Sequence, residues 1–78
     1  MTTSEINQKI FELKNSILRQ NLRIDFLLIH PKVYYDFCEN ADSGEMYDLQ
    51  LNHRIQGIKF LRSHDLALDE IRIIPKLD

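Results

Sequence analysis

Leu22-Arg23-Ile24-Asp25-Phe26-Leu27-Leu28-Ile29-His30-Pro31 is the stretch on which the fold turns. Leu22, Ile24, Phe26 and Leu28 alternate with Arg23 and Asp25, the two-residue period of a strand with one covered face. Leu27 and Ile29 then make the second face apolar too. The strand is therefore expected to begin half exposed and end buried on both faces, as a central strand does. Pro31 ends it and favours a helix start, because a proline at the first helical position lacks only an N–H that would have had no partner. Residues 31–39 are predicted as a short helix capped by His30, with Val33 and Phe37, and Tyr34 and Cys38, at the four-residue spacing of its inner side.

Upstream, Thr2 and Glu5 have the spacing of a capping box, which predicts a helix from about Thr3. Ile6, Ile10, Leu13 and Ile17 fall on a stripe only about 60° wide, which faces the core. Phe11 and Leu18 lie roughly 120° away, with Lys14 beside them, and form a second apolar edge that one partner surface cannot also cover. Asn21 tolerates the left-handed conformation that ends a helix.

Downstream, Asn40-Ala41-Asp42-Ser43-Gly44 is a cluster of turn formers. Tyr47, Leu49, Leu51 and His53 alternate with Asp48, Gln50 and Asn52, which predicts a weak strand, with a helix as the other reading of so short a run. Ile58 to Leu61 after Gly57, and Ile71 to Ile74 before Pro75, read as further strands, with a turn at Ser63-His64-Asp65-Leu66. The predicted class is α+β. An N-terminal amphipathic helix packs on a small mixed sheet of three or four strands, with the short second helix as crossover or edge cover, in one domain spanning residues 1–78.

Composition agrees with a globular chain: of 78 residues, 44% are hydrophobic and 28% charged, with two glycines and two prolines. The longest purely apolar run, Phe26 to Ile29, is far short of the ~20 residues of a membrane helix, and residues 1–20 hold no signal-peptide core. A soluble, cytoplasmic protein without membrane contact is expected. Cys38, the only cysteine, cannot form an intrachain disulfide and suits a reducing compartment. The net charge of −2 divides unevenly, with −5 on residues 24–53 and +3 on residues 54–62, where Arg54, Lys59 and Arg62 stand without an acid. A chain with no basic excess is a poor nucleic-acid binder. Because Lys59 and Phe60 point to opposite faces of a strand, the ring belongs to the core and the cations to solvent.

Few residues offer chemistry. Cys38 has no base placed beside it by the sequence and reads as a small buried side chain. His30, Cys38, His53 and His64 are spaced eight, fifteen and eleven apart, unlike the short intervals of paired zinc ligands. Gly44 and Gly57 make no phosphate loop, and Asp42, Glu45, Asp69 and Glu70 look like solvated turn residues. No catalytic residue, metal or cofactor is predicted.

Leu27-Leu28-Ile29-His30-Pro31-Lys32-Val33-Tyr34, then Ile55-Gln56-Gly57-Ile58-Lys59-Phe60-Leu61-Arg62-Ser63, Asp65-Leu66 and Glu70-Ile71-Arg72-Ile73-Ile74 follow one another in a familiar order. Residues 24–74 resemble the axial-domain segment of tailed-bacteriophage major capsid proteins, in which a strand, a histidine- or asparagine-proline helix start, a second strand, a serine turn and a final strand succeed one another. The chain is too short to be a capsid protein and lacks the long backbone helix, extended loop and amino-terminal arm that build a shell. The resemblance implies α+β topology and a phage or prophage origin, and transfers no functional residue. The expected function is a small non-catalytic interaction module, an accessory or inhibitor that binds another protein and self-associates through Phe11, Leu18 and Lys14. The alternative is a nucleic-acid-binding regulator using Arg54, Lys59 and Arg62.

Overall fold

The computed structural model describes residues 1–77. The element order is α1 (Thr3–Arg19), β1 (Ile24–Ile29), α2 (Pro31–Asn40), α3 (Ser43–Asn52), β2 (Arg54–Ile55), β3 (Ile58–Arg62) and β4 (Ile71–Pro75). The four strands form one mixed sheet in the order β2-β3-β1-β4, so β1 is central as its sequence requires. β1 runs parallel to β3 and antiparallel to β4. The parallel pair is joined by the long crossover through α2, α3 and β2.

Local chemistry sets most boundaries. The Thr2 hydroxyl accepts the Glu5 N–H at 3.1 Å, and Glu5 Oε1 accepts the Thr2 N–H at 3.1 Å, completing the expected capping box. At the other end Asn21 is left-handed, with φ 58°. The Asn21 N–H donates to Leu18 O at 3.0 Å and the Leu22 N–H to Ile17 O at 3.3 Å, the paired bonds that close a helix C-terminus. His30 Nδ1 accepts the Lys32 N–H at 2.9 Å and starts α2 on Pro31.

Residues 47–53 are not a strand: 47–52 belong to α3 and His53 caps its end. Asp42 and Glu45 form a second capping box, with Glu45 N–H to Asp42 Oδ1 at 2.7 Å and Asp42 N–H to Glu45 Oε1 at 3.0 Å. A helix needs only a narrow inner side, so Leu49 is buried at 2% exposure while Tyr47 and Leu51 are each 63% exposed. The alternation of apolar residues was thus not a burial pattern. His53, left-handed at φ 53°, turns the chain out of α3 into β2, the edge strand beside β3. Gln56 and Gly57, with φ of 52° and 76°, form the two-residue turn of the β2–β3 hairpin. Positive φ at both central positions matches the twist of the strands.

The core gathers Ile6 and Ile10 of α1, Val33 and Phe37 of α2, Leu49 of α3, and Leu27, Ile29, Ile55, Ile58 and Ile71 of the sheet. Leu49→Ala is expected to cost about 2–5 kcal/mol and Leu51→Ala less than about 0.5 kcal/mol in urea denaturation. Equal costs would restore the strand reading, in which both side chains share one face.

Candidate functional site

The sheet has two unlike faces. Leu27, Ile29, Ile58 and Ile71 are buried on one face, with Phe60 and Ile73 packed beside them, under helices α1, α2 and α3. Because neighbouring side chains alternate, Phe26, Leu28, Leu61 and Ile74 project from the other face. The registers Leu28↔Leu61 and Phe26↔Ile74 set them side by side. Asn52, at the end of α3, lines a cleft beside this face with Phe26 and Leu61. Leu61 is 57% exposed, and Phe26, Leu28 and Ile74 are half-buried. Burial of β1 on both faces, as expected from its sequence, is therefore corrected: only the Leu27 and Ile29 side is sealed.

The basic residues split between the faces. Arg54 pairs across strands with Lys59, and both lie on the open face, two like charges held together by the hairpin. Arg62 falls on the helix side, its guanidinium 4.5 Å from the centre of the Tyr34 ring, as a cation–π contact. Arg54, Lys59 and Arg62 thus do not form one surface. Lys59 and Phe60 do point apart, since Phe60 packs against the core near Tyr34 with ring centres 5.9 Å apart.

On α1, Phe11 and Leu18 are 49% and 52% exposed, so neither α2 nor the described C-terminal segment seals them. Lys14 Nζ lies 5.9 Å from the centre of the Phe11 ring and donates to Gln56 Oε1 at 3.3 Å. Gln56 Nε2 donates to Asn7 O at 2.8 Å, and Asn7 Nδ2 donates to Glu45 Oε2 at 2.6 Å. These bonds clamp α1 to the β2–β3 turn and to the start of α3. They also line a cleft of about 840 Å³ between Thr3, Asn7, Phe11, Asn40, Glu45 and Gln56. With its amides bonded to one another, the cleft is a joint between elements.

Asp36 is the buried charge, and its partners come from two elements. Oδ1 accepts from Lys32 Nζ at 2.5 Å and Oδ2 from the Met1 amino group at 3.0 Å. The Lys32 hydrogen bond, then that of the Met1 amino group, holds the Asp36 carboxyl below its ordinary value, and the same pairing with Asp36 raises Lys32. Beside it the Thr3 hydroxyl donates to Phe37 O at 2.8 Å and accepts the Asn40 N–H at 3.3 Å. Those bonds tie the start of α1 to the end of α2.

Cys38 is a half-buried free thiol packed against the core. His64 meets His30 edge to face with ring centres 5.7 Å apart, because the parallel strands β1 and β3 end side by side. A separation of 34 positions hid that pair in the sequence. Among the described residues no three His, Cys, Asp or Glu side chains cluster as metal ligands would. Nor is any described helix long and apolar enough to cross a membrane. Comparison with family models, curated proteins and solved structures gave no match.

The Asp36 cluster has a pH signature. A carboxyl lowered in the folded state contributes stability that is complete above its ordinary value, 3.8, and lost as pH falls through the lowered one. Lys32, raised above 10.5, contributes fully below that value and loses its share as pH rises through the raised one. Asp36→Asn is therefore expected to be less stable than wild type at about pH 7 and to approach it at about pH 2 in urea titrations. An undiminished gap at the acid end would show that the charge is not what stabilises the cluster.

Proposed function

We propose that this protein is a small non-catalytic interaction module that self-associates and acts by binding another protein. The open face of the sheet carries the reading. Phe26, Leu28, Leu61 and Ile74 are contiguous, whereas surface apolar residues standing singly are ordinary. Covering such a patch yields about 25 cal/mol per Å² of apolar surface before the cost of association is subtracted. Phe11 and Leu18 on α1 add a second uncovered edge for a further contact.

The free thiol of Cys38 fits a cytoplasmic setting, which belongs to the proposal. A phage or prophage accessory or inhibitor role is supported by the resemblance of residues 24–74 alone. The second reading, a nucleic-acid-binding regulator, draws support from Arg54 and Lys59 beside Phe26 on the open face, where phosphate and stacking contacts coexist. A net charge of −2 weighs against it.

Light scattering after size exclusion tests the first reading. At concentrations of about tens of micromolar the wild type is expected to exceed the mass of one 9.3 kDa chain, and Leu61→Glu to run as a folded monomer. A monomeric wild type would remove self-association. Loss of assembly confined to Phe11→Glu/Leu18→Glu would move the interface to α1.

A further inference from the structure

We propose that the outer edge of β3 receives an extended acidic segment of a partner protein as an added strand. The inference rests on the interaction-module reading and names the chemistry of the partner. Its basis is an interrupted hairpin. β2 stops opposite Lys59 because His53 is left-handed and carries the chain away, while β3 continues to Arg62.

The direction of the backbone groups follows from two fixed points. Ile55 and Ile58 flank the two-residue turn and face one another across the hairpin. Ser63 N–H donates to Ile29 O at 2.9 Å, toward β1. Alternation between those points directs the N–H and C=O groups of Phe60 and Arg62 away from β1, beyond the end of β2. Arg54 pairs with Lys59 next to that narrow Ile55–Ile58 pair, which turns the His53 C=O toward the Phe60 N–H, so the Phe60 C=O and both backbone groups of Arg62 are the ones left without a described backbone partner.

A cleft lies on each side of this bare edge. The one on the helix side, about 600 Å³, is lined by Tyr34, Leu49, His53 and Arg62. The one on the open side, about 420 Å³, is lined by Asp25, Phe26, Lys59 and Leu61, with His53 lining both clefts where the chain leaves α3. A strand laid against β3 sends alternate side chains into the two clefts while its main chain bonds to Phe60 and Arg62, the arrangement of strand addition.

Charge selects the occupant. No acid lines the helix-side cleft, where Arg62 sits, and on the open side Lys59 and its neighbour Arg54 outnumber Asp25. A second copy of β3 in this position would set Lys59 and Arg62 of both chains together with no counter-charge, which disfavours self-pairing here. The opposite edge of the sheet is a poorer acceptor. Lys76 N–H donates to Arg23 O at 2.9 Å, so alternation along β4 turns Pro75, which has no N–H, outward. The occupant is thus an extended segment with carboxylates toward Arg62 and apolar side chains toward Phe26 and Leu61.

The probe is a blocked pentapeptide, Glu-Val-Glu-Val-Glu, added to the full chain labelled with ¹⁵N. Saturable shifts centred on the Arg62 amide are expected, about tenfold weaker binding in Arg62→Glu, and little effect from the Lys-Val-Lys-Val-Lys peptide. Two N-methylated isomers of the probe, blocked at alternate sets of amides, supply the decisive comparison. Strand addition predicts that one isomer loses about tenfold or more in affinity while the other keeps most of it. Equal behaviour of the isomers, no shift at Arg62, or a shift there with single-stranded oligonucleotide and not with peptide would each overturn the site. Peptide shifts confined to Leu28, Leu61 and Ile74 would overturn it too, while leaving the interaction-module reading in place.

Discussion

A sheet covered on one face is the constraint from which the rest of this molecule follows. β1 is apolar on both sides, yet all three helices pack over the face that carries Leu27 and Ile29. Among the described residues the three helices are spent on that face and build no second layer over the other. Phe26, Leu28, Leu61 and Ile74 are therefore left on the less covered face, Leu61 exposed and the other three half-buried. The hydrophobic effect favours covering that surface, which is the physical basis of the association proposed above.

The covered side is held by polar clamps as well as by packing. Thr3 and the Met1 amino group join the start of α1 to α2, and Asn7, Lys14 and Gln56 join its middle to the β2–β3 turn and α3. No buried side-chain polar atom among the described residues is left without a partner. Such satisfaction matters in a small core, where one orphaned donor costs about 1–3 kcal/mol. Gln56 does double duty, since its positive φ shapes the hairpin turn while its side chain reaches α1.

Much of this was legible in the sequence wherever the deciding interaction was local. The Thr2–Glu5 box, the His30-Pro31 start of α2 and the left-handed Asn21 all act within a few residues, and the structure has each of them. The Asp42–Glu45 box has the same spacing and was equally legible. The alternation of Tyr47, Leu49 and Leu51 that points to a strand describes composition, since two of those three side chains face solvent. The Gln56-Gly57 turn was hidden because glutamine seldom adopts positive φ. Features made by distant residues left no local trace. The His30–His64 pair and the stacking of Arg62 on Tyr34 depend on which strands run parallel, and the Met1–Asp36 ion pair on how the start of α1 meets α2. The parting of Arg62 from Arg54 and Lys59 follows from the two-residue period of β3 once the hairpin partner of Lys59 is known.

The uncovered face can be read directly from its methyl groups. Solvent paramagnetic relaxation, with a soluble gadolinium chelate and methyl-labelled protein, measures the exposure of Leu28, Leu61 and Ile74 against that of Leu27, Ile29 and Ile71. In dilute protein the first set is expected to relax strongly and the second weakly, and the first set alone should gain protection as concentration rises and copies associate. Equal protection of both sets at every dilution would contradict the one-sided sheet, and exposure unchanged by concentration would contradict its role in self-association.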